Sequence, residues 1–316
     1  MDGAHGRRGR RQPVDPRAVE ILREIPRAHR LYLAGRFEVH AKRADRQCAD
    51  LAASMDPRII TSYPNLYLDG NGGTFAWHRF GDQEHTAREL VNRLVRRRPG
   101  ALRPAGLRPR LEVDNPPTLH KVIRYDGFDV LEYAARDGHQ TRYHDYDREV
   151  VTVDHLYRVV LRDAPFSVEV RAGTGPKRDS LLEVLQRNLG AQFGQDVPCL
   201  LRGIPAVDPL QQALQARFIG VSFRTRGGGA KSMSIKADEA NDMTQVRRYT
   251  DELALGSDEI TREYEYRTVH ALDGYVESAT FEITLSNGSL RVGARSSEVA
   301  IENLRRNVIA LFPPPQ

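Results

Sequence analysis

Hydrophobic and polar positions alternate with two different periods along this chain, and the changes of period mark its elements. From Pro16 the run AVEILREI has the three-to-four spacing of an amphipathic helix, which Pro26 ends or kinks. HRLYLAGRFEVHAK (His29–Lys42) alternates in twos and predicts one or two strands around Gly35, and Asp45–Met55 reads as a short helix. NLYLDGNGGTFAWHRF (Asn65–Phe80) holds two alternating runs around a turn rich in Asp, Asn and Gly, which predicts a β-hairpin. Thr86 and Glu89 are spaced as a capping box, in which a hydroxyl and a carboxylate satisfy each other's orphan amides, ahead of an apolar face of Ala87, Leu90, Val91, Leu94 and Val95.

From Thr118 the period returns to two, through HKVIRY, DVLEYAA, TRYHDYDREVVTV, LYRVVL and FSVEVRA. A helix then follows from Ser180, with Glu183 as its box partner and Leu181, Leu182, Leu185 and Leu189 as its buried stripe. After a connector and a short helix over Leu210–Ala216, RFIGVSFR (Arg217–Arg224), SMSIKA, EITREYEYRTV, YVESATFEITL and SLRVGA read as strands. Ser286-Asn287-Gly288-Ser289 supplies a tight turn within that set, and a last helix from about Ser297 buries Ile301, Leu304 and Val308.

Two segments occur twice in the same order. TREYEY (Thr261–Tyr266) echoes TRYHDY (Thr141–Tyr146) at an offset of 120 residues, and IENLRRNVIALF (Ile301–Phe312) echoes LEVLQRNLGAQF (Leu182–Phe193) at an offset of 119. The matching offsets predict an internal duplication. The expected fold is therefore α+β: a duplicated unit of antiparallel strands followed by a helix, packed as a pseudo-symmetric body, plus a smaller N-terminal α+β region. The expected divisions are a disordered basic tail (1–13), the N-terminal region (14–98), a basic Pro/Gly linker (99–116), repeat A (117–195), a connector (196–214) and repeat B (215–316). The order of elements in residues 65–95 also allows a third, diverged copy.

Composition changes this picture little. A 40% hydrophobic and 28% charged chain of 316 residues is ordinary for a soluble globular protein. With no apolar run near 18 residues and no apolar stretch behind the basic N-terminus, the expectation is a cytoplasmic protein, neither secreted nor bound to a membrane. Cys48 and Cys199 suit free thiols in a reducing compartment, not a disulfide framework.

Charge is more informative once it is located. Of the net +5, much sits on Arg7, Arg8, Arg10 and Arg11 of the tail, so the folded body is close to neutral. Between Glu89 and Glu112 there is no acidic residue, while Arg93, Arg96, Arg97, Arg98, Arg103, Arg108 and Arg110 all fall inside. Clustered arginine in segments broken by Pro and Gly is the usual footprint of phosphate binding.

Three constellations could carry chemistry. Alternation sorts the repeated strand into one face with Glu263, Glu265 and Arg267, matched by Tyr143, Asp145, Asp147 and Glu149, and another with Arg262, Tyr264 and Tyr266, matched by Arg142, His144 and Tyr146. The Arg-aromatic face could stack bases and hold phosphates, or the tyrosines could pack under the helices. Glu263-x-Glu265-x-Arg267 resembles the Glu-x-Glu-x-Lys signature of triphosphate tunnel metalloenzymes, in which paired carboxylates hold a divalent cation. That resemblance implies a Mg²⁺-dependent phosphohydrolase or nuclease, with Glu277 and Glu282 as the nearest further carboxylates. In that family the motif lies on the first strand, and near this N-terminus Glu38-x-His40-x-Lys42 lacks the second carboxylate. RTRGGGAKS (Arg224–Ser232) could gather backbone amides around an anion with Arg224, Arg226 and Lys231, but it lacks P-loop spacing. His78, His85, His139, His144 and His155 show no metal-binding spacing, and no nucleophile motif is present.

The sequence therefore predicts a non-enzymatic protein without a cofactor that engages nucleic-acid phosphates. Its contact residues would be Arg96, Arg97, Arg98, Arg108, Arg110, Arg224, Arg226, Lys231, Arg142, Tyr146, Arg262 and Tyr266. A protein-interaction or assembly subunit, paired with another protein or with itself, is the alternative, and the Glu263/Glu265 hydrolase is the second.

Overall fold

A computed structural model describes residues 14–68, 73–80, 86–97, 116–125, 127–144, 147–163, 166–171, 176–224, 232–238, 242–243 and 258–313. Its N-terminal layer is helical. Asp15 caps α1 (Pro16–Glu24) by accepting Arg17 N–H at 2.9 Å, and proline at the first helical position costs no hydrogen bond. The strands expected over residues 29–42 are instead α2 (Arg27–Arg36). The alternation of Leu31 and Leu33 misled: Leu31 is exposed, whereas His29, Leu33 and Ala34 form the buried helical face. α3 (Ala44–Ser54) agrees with the expected helix, and the short α4 (Pro57–Ile60) follows. Leu22, Ile25, Leu33, Cys48, Leu51, Met55, Ile60 and Tyr63 are the core of this layer.

The predicted hairpin over 65–80 is a second correction. Tyr63–Asn65 make a single 3₁₀ turn, and β1 (Gly73–Phe80) is one strand, placed in the middle of the main sheet. The capping box at α5 (Ala87–Arg97) is present as read: Thr86 N–H donates to Glu89 at 2.9 Å, and Glu89 N–H to the Thr86 hydroxyl at 3.2 Å.

The remaining strands are β2 (Thr118–Arg124), β3 (Phe128–His144), β4 (Asp147–Asp163), β5 (Phe166–Arg171), β6 (Phe193–Asp196), β7 (Arg217–Arg224), β8 (Ser232–Lys236), β9 (Asp258–Val269), β10 (Val276–Thr284) and β11 (Leu290–Val292). Ten of them form one antiparallel sheet in the order β2-β3-β4-β5-β1-β11-β10-β9-β7-β8, and β6 pairs with β1 off that path. The helices are α6 (Pro176–Leu189), α7 (Ile204–Leu214) and α8 (Glu298–Leu311), which make eight α-helices among the described residues. Proline starts α6 about one turn before Ser180, so Ser180 lies inside the helix and not at its cap. The turn between β10 and β11 is as expected. Asn287 Oδ1 accepts Ser289 N–H at 2.9 Å, and Gly288 has φ 72° with no room for a Cβ, which would stand 2.2 Å from Pro198 O.

The architecture is α+β. One core lies between α5 and α6 and strands β2–β5, with Ala76 of β1 in it. The other lies between α7 and α8 and strands β7 and β9–β11, with Phe75 and Trp77 of β1 in it. Successive residues of β1 thus serve different cores, so the two helix pairs cover opposite sides of that strand. The helix halves of the sequence match occupy similar places: Leu181, Leu185 and Leu189 of α6 and Ala300, Leu304 and Val308 of α8 are all buried, each helix following the strand beside β1. The strand halves do not. Thr141 pairs with Val150 near the β3–β4 turn, whereas Thr261 pairs with Thr284 at the open end of the β9–β10 hairpin. No helix of the described residues is long and apolar enough to cross a membrane.

The two sides of β1 are tied by buried charge. Glu298 of α8 accepts Arg162 at 2.8 Å and both terminal nitrogens of Arg171 at 2.7 and 2.6 Å. Glu169 beside it accepts Trp77 Nε1–H at 2.9 Å and Arg171 Nε–H at 2.5 Å. About two turns along α8, the fully buried Arg305 donates to Ser167 at 2.5 Å and forks onto both oxygens of Glu302, at 2.8 and 2.7 Å. Buried ions are tolerated where several hydrogen bonds repay their lost hydration.

Burial pushes the Glu302 carboxyl up, but the Arg305 guanidinium, with Arg162 and Arg306, outweighs it and holds the group below its usual value. A carboxyl depressed on folding contributes stability that is full above its unfolded value, about 4.3, and is lost as pH falls through the folded one. Denaturant unfolding across pH should show that loss in the wild type, and Glu302→Gln should lower stability at pH 7 and flatten the acid limb. Equal slopes in the two proteins would contradict the assignment.

Candidate functional site

A buried polar cluster forms where the N-terminal layer meets the turn between β9 and β10. That turn, His270-Ala-Leu-Asp273-Gly274-Tyr275, closes on itself. His270 N–H donates to Tyr275 O and Gly274 N–H to His270 O, both at 2.8 Å, and Gly274 takes the positive φ (76°) the reversal needs. Tyr275 N–H donates to Asp273 Oδ1 at 3.0 Å, which fixes the carboxylate over the helical layer.

Four side chains of that layer converge on Asp273. His29 Nε2 lies 2.6 Å from Asp273 Oδ2, and the Tyr63 hydroxyl donates to the same oxygen at 2.8 Å. The backbone carbonyl of Asp273 accepts the Tyr32 hydroxyl at 2.9 Å and the Arg36 guanidinium. The other nitrogen of His29 meets the Tyr67 hydroxyl at 2.8 Å, and the ring stacks on Tyr275 with centroids 4.1 Å apart and planes 5° from parallel. His29 and His270 meet edge to face, their centroids 5.2 Å apart.

His270 has its own carboxylate. Its Nε2 lies 2.7 Å from Glu277 Oε2, and Glu277 also accepts the backbone N–H of Ser297 at 2.8 Å and the Ser297 hydroxyl. That hydroxyl in turn accepts Ala300 N–H at 3.1 Å as the N-cap of α8. His29, His270, Asp273, Glu277 and Ser297 are all buried.

Burial raises the Asp273 carboxyl, but hydrogen bonds from His29, Tyr275 N–H and Tyr63 overcome it and bring the group to about 2. Burial, and then the neighbouring carboxylates, push the hydroxyls of Tyr63 and Tyr67 well above their usual value, so both stay protonated. One ligand atom each from His29, His270 and Asp273 lies within 4.8 Å of the others, and among the described residues no other group of three His, Cys, Asp or Glu comes together in this way.

The residues singled out from the sequence lie elsewhere. Arg96 and Arg97 are exposed in the last turn of α5. Arg98, Arg108, Arg110, Arg226, Lys231 and Tyr146 fall outside the described residues; Arg142 and Arg224 lie in β3 and β7 with their side chains undescribed. Arg262 and Tyr266 are corrections. Arg262 is 2% exposed, bonded to Glu259 at 2.7 Å and Asp208 at 3.3 Å, and lies over the Phe218 ring. Tyr266 is 1% exposed, and its hydroxyl donates to Ala300 O at 2.8 Å. Neither can reach a phosphate or a base, because this strand face is the one packed under the helices.

Glu263, Glu265 and Arg267 do share the outer face, but Glu263 pairs with Lys236 at 2.7 Å and Glu265 with Arg217 at 2.5 Å. Glu282 stands opposite Glu263, whereas Glu277 stands opposite the buried Thr268 on the inner face and cannot join them. Cys199 lies 3.5 Å from Asp196, and burial followed by that carboxylate pushes its thiol up, away from the thiolate a nucleophile needs. The two-histidine cluster carried one visible signal, a His-x-x-Asp-Gly-Tyr turn between two alternating runs. No protein-family model matches the chain, and no curated protein is significantly similar to it in sequence.

Each hydrogen bond to a buried charged group is worth about 1.5–3 kcal/mol. Tyr63→Phe should therefore destabilise the helical layer by about that much, and Asp273→Asn by more, with limited proteolysis cutting within residues 14–68 before the sheet is attacked. Wild-type resistance in Asp273→Asn would contradict a joint held by this carboxylate.

Proposed function

We propose that this is a non-enzymatic binding protein that engages nucleic-acid phosphates through its arginine-rich segments. The observation that carries the reading is the outer end of α5. Arg93, Arg96 and Arg97 are exposed there, Arg124 of β2 is exposed and donates to Asn92 of the same helix at 2.6 Å, and Arg187 is exposed on the neighbouring α6. Gly190, just past α6, lies beside the Arg97 guanidinium, so these charges share one side of the molecule. In the sequence Arg98, Arg103, Arg108 and Arg110 follow directly. A duplex or single strand laid there releases counterions in proportion to the phosphates neutralised, which needs no base-specific contact.

The same reading includes an internal duplication. What supports it, besides the helix match, is that β5 and β11 both run antiparallel to β1 and hence parallel to each other, with their helices on opposite sides. Halves duplicated about a two-fold axis along β1 would have this arrangement.

Fluorescence anisotropy with labelled DNA and RNA across a salt series is the test. Wild-type affinity should fall with salt, and replacing Arg96, Arg97 and Arg98 by Ala should weaken binding and reduce the log–log salt slope by about 2–3. No binding at low salt would overturn the proposal.

One observation favours the assembly reading as well. Val269 (61% exposed) and Val276 (52%) are cross-strand partners beside the exposed Leu272. Three exposed aliphatic side chains at one hairpin tip suit contact with a second copy of this chain. Light scattering should then give a mass above that of one chain that Val269→Asp/Val276→Asp returns to the monomer; a wild-type monomer at every concentration would count against it.

A further inference from the structure

A joint between the helical layer and the sheet does not require all of the polar chemistry buried at His29, His270 and Asp273. The Ser297 hydroxyl accepts Ala300 N–H, so its own proton is free for Glu277, which accepts the Ser297 backbone N–H too. Glu277 acts as an acceptor in each of these contacts, so His270 Nε2 is the donor in the 2.7 Å contact between them. The lone pair of the His270 ring is thereby left on Nδ1. That atom is buried and has no hydrogen-bond partner. Leaving a buried acceptor unsatisfied is costly, and a native structure keeps such a group for a reason.

We propose that His29, His270 and Asp273 bind a divalent transition-metal ion, zinc being the ion that two imidazoles and one carboxylate suit. Each of the three has the outer partner that metal ligands characteristically have. Glu277 holds His270 Nε2 at 2.7 Å, Tyr67 holds His29 Nδ1 at 2.8 Å and Tyr63 holds Asp273 Oδ2 at 2.8 Å. Such partners fix the ring orientation and tautomer and raise ligand basicity. One ligand atom from each of the three residues lies within 4.8 Å of the other two, and bonds of about 2.0–2.1 Å to zinc require them roughly 3.3 Å apart. The His29–Asp273 contact, now 2.6 Å, opens by about 0.7 Å to admit the ion.

Coordination by His29 Nε2 needs the ring proton on Nδ1, where the Tyr67 oxygen is placed to accept it. The ion thus takes the place of the proton shared between His29 and Asp273, while His270 supplies a lone pair that nothing else uses. A cavity of about 230 Å³, lined by Ile25, Pro26, Tyr63, Tyr67 and Arg295 among others, adjoins the cluster through the two tyrosines. It brings open space up to the two tyrosines that hold His29 and Asp273. The bound ion joins α2 to the β9–β10 turn.

The test uses the full chain stripped of metal with a chelator, then titrated with Zn²⁺ by calorimetry and with Co²⁺ by visible absorption. The expected result is one ion per chain, a Kd below about 1 μM and a higher Tm with zinc. Glu277→Gln, which leaves all three ligands in place, should weaken binding about 10-fold or more. His270→Ala should abolish it, and His40→Ala and His155→Ala, both at exposed positions outside the cluster, should leave it unchanged. Absence of stoichiometric uptake by the wild type, wild-type affinity in Glu277→Gln, or uptake that survives His270→Ala would each overturn the proposal.

Discussion

The carboxylate of Asp273 is the constraint on which the rest of this structure depends most. It sits at the end of a hairpin yet lies within the protein, and it accepts a histidine, a tyrosine and a backbone amide while its own carbonyl accepts two more side chains. Hydrogen bonds to a buried charge are worth more than those between neutral groups, and removing one partner leaves the penalty of the other. A single residue thereby joins a helical layer with its own apolar core to a sheet that begins only at Gly73. It also holds His29 against His270, two residues 241 positions apart in the sequence. Docking and ligand geometry are the same set of contacts.

The rest of the molecule is built on a similar device at larger scale. β1 feeds one core through Ala76 and the other through Phe75 and Trp77, so neither half of the sheet closes without it. The charges gathered beside it, Glu298 with Arg162 and Arg171, and Arg305 with Glu302 and Ser167, tie α8, which covers the second half, to β4 and β5 of the first. Apolar burial supplies most of the driving force for such an assembly. The ion pairs set its register, since a displaced helix would leave guanidiniums buried without partners. The proposed phosphate-binding arginines are exposed on α5, β2 and α6, whereas the proposed metal ligands come from α2 and the β9–β10 turn, so the two chemistries use separate elements.

What the sequence made legible was local. The alternation along β10, the stripes of α6 and α8, the capping box at α5 and the Asn-Gly turn are consequences of neighbours within a few residues, and each is present. The failures came where a local pattern has two readings. Leu31 and Leu33 alternate like a strand, but tertiary packing buries His29 with Leu33 and leaves Leu31 outside. Arg262 and Tyr266 carry the chemistry of a binding face, and only the placement of α8 shows that this face is the inner one. His29 and Asp273 are 244 residues apart, and no spacing rule connects them.

The central claim is a preformed two-histidine centre in which Glu277 commits the His270 proton to Nε2 and leaves Nδ1 open to a ligand. Nitrogen-15 NMR of the imidazole rings in metal-free protein reads that tautomer directly. The account predicts a His270 ring protonated at Nε2, with an Nδ1 shift typical of an unprotonated nitrogen that moves when Zn²⁺ is added. A His270 ring carrying its proton on Nδ1 would contradict it.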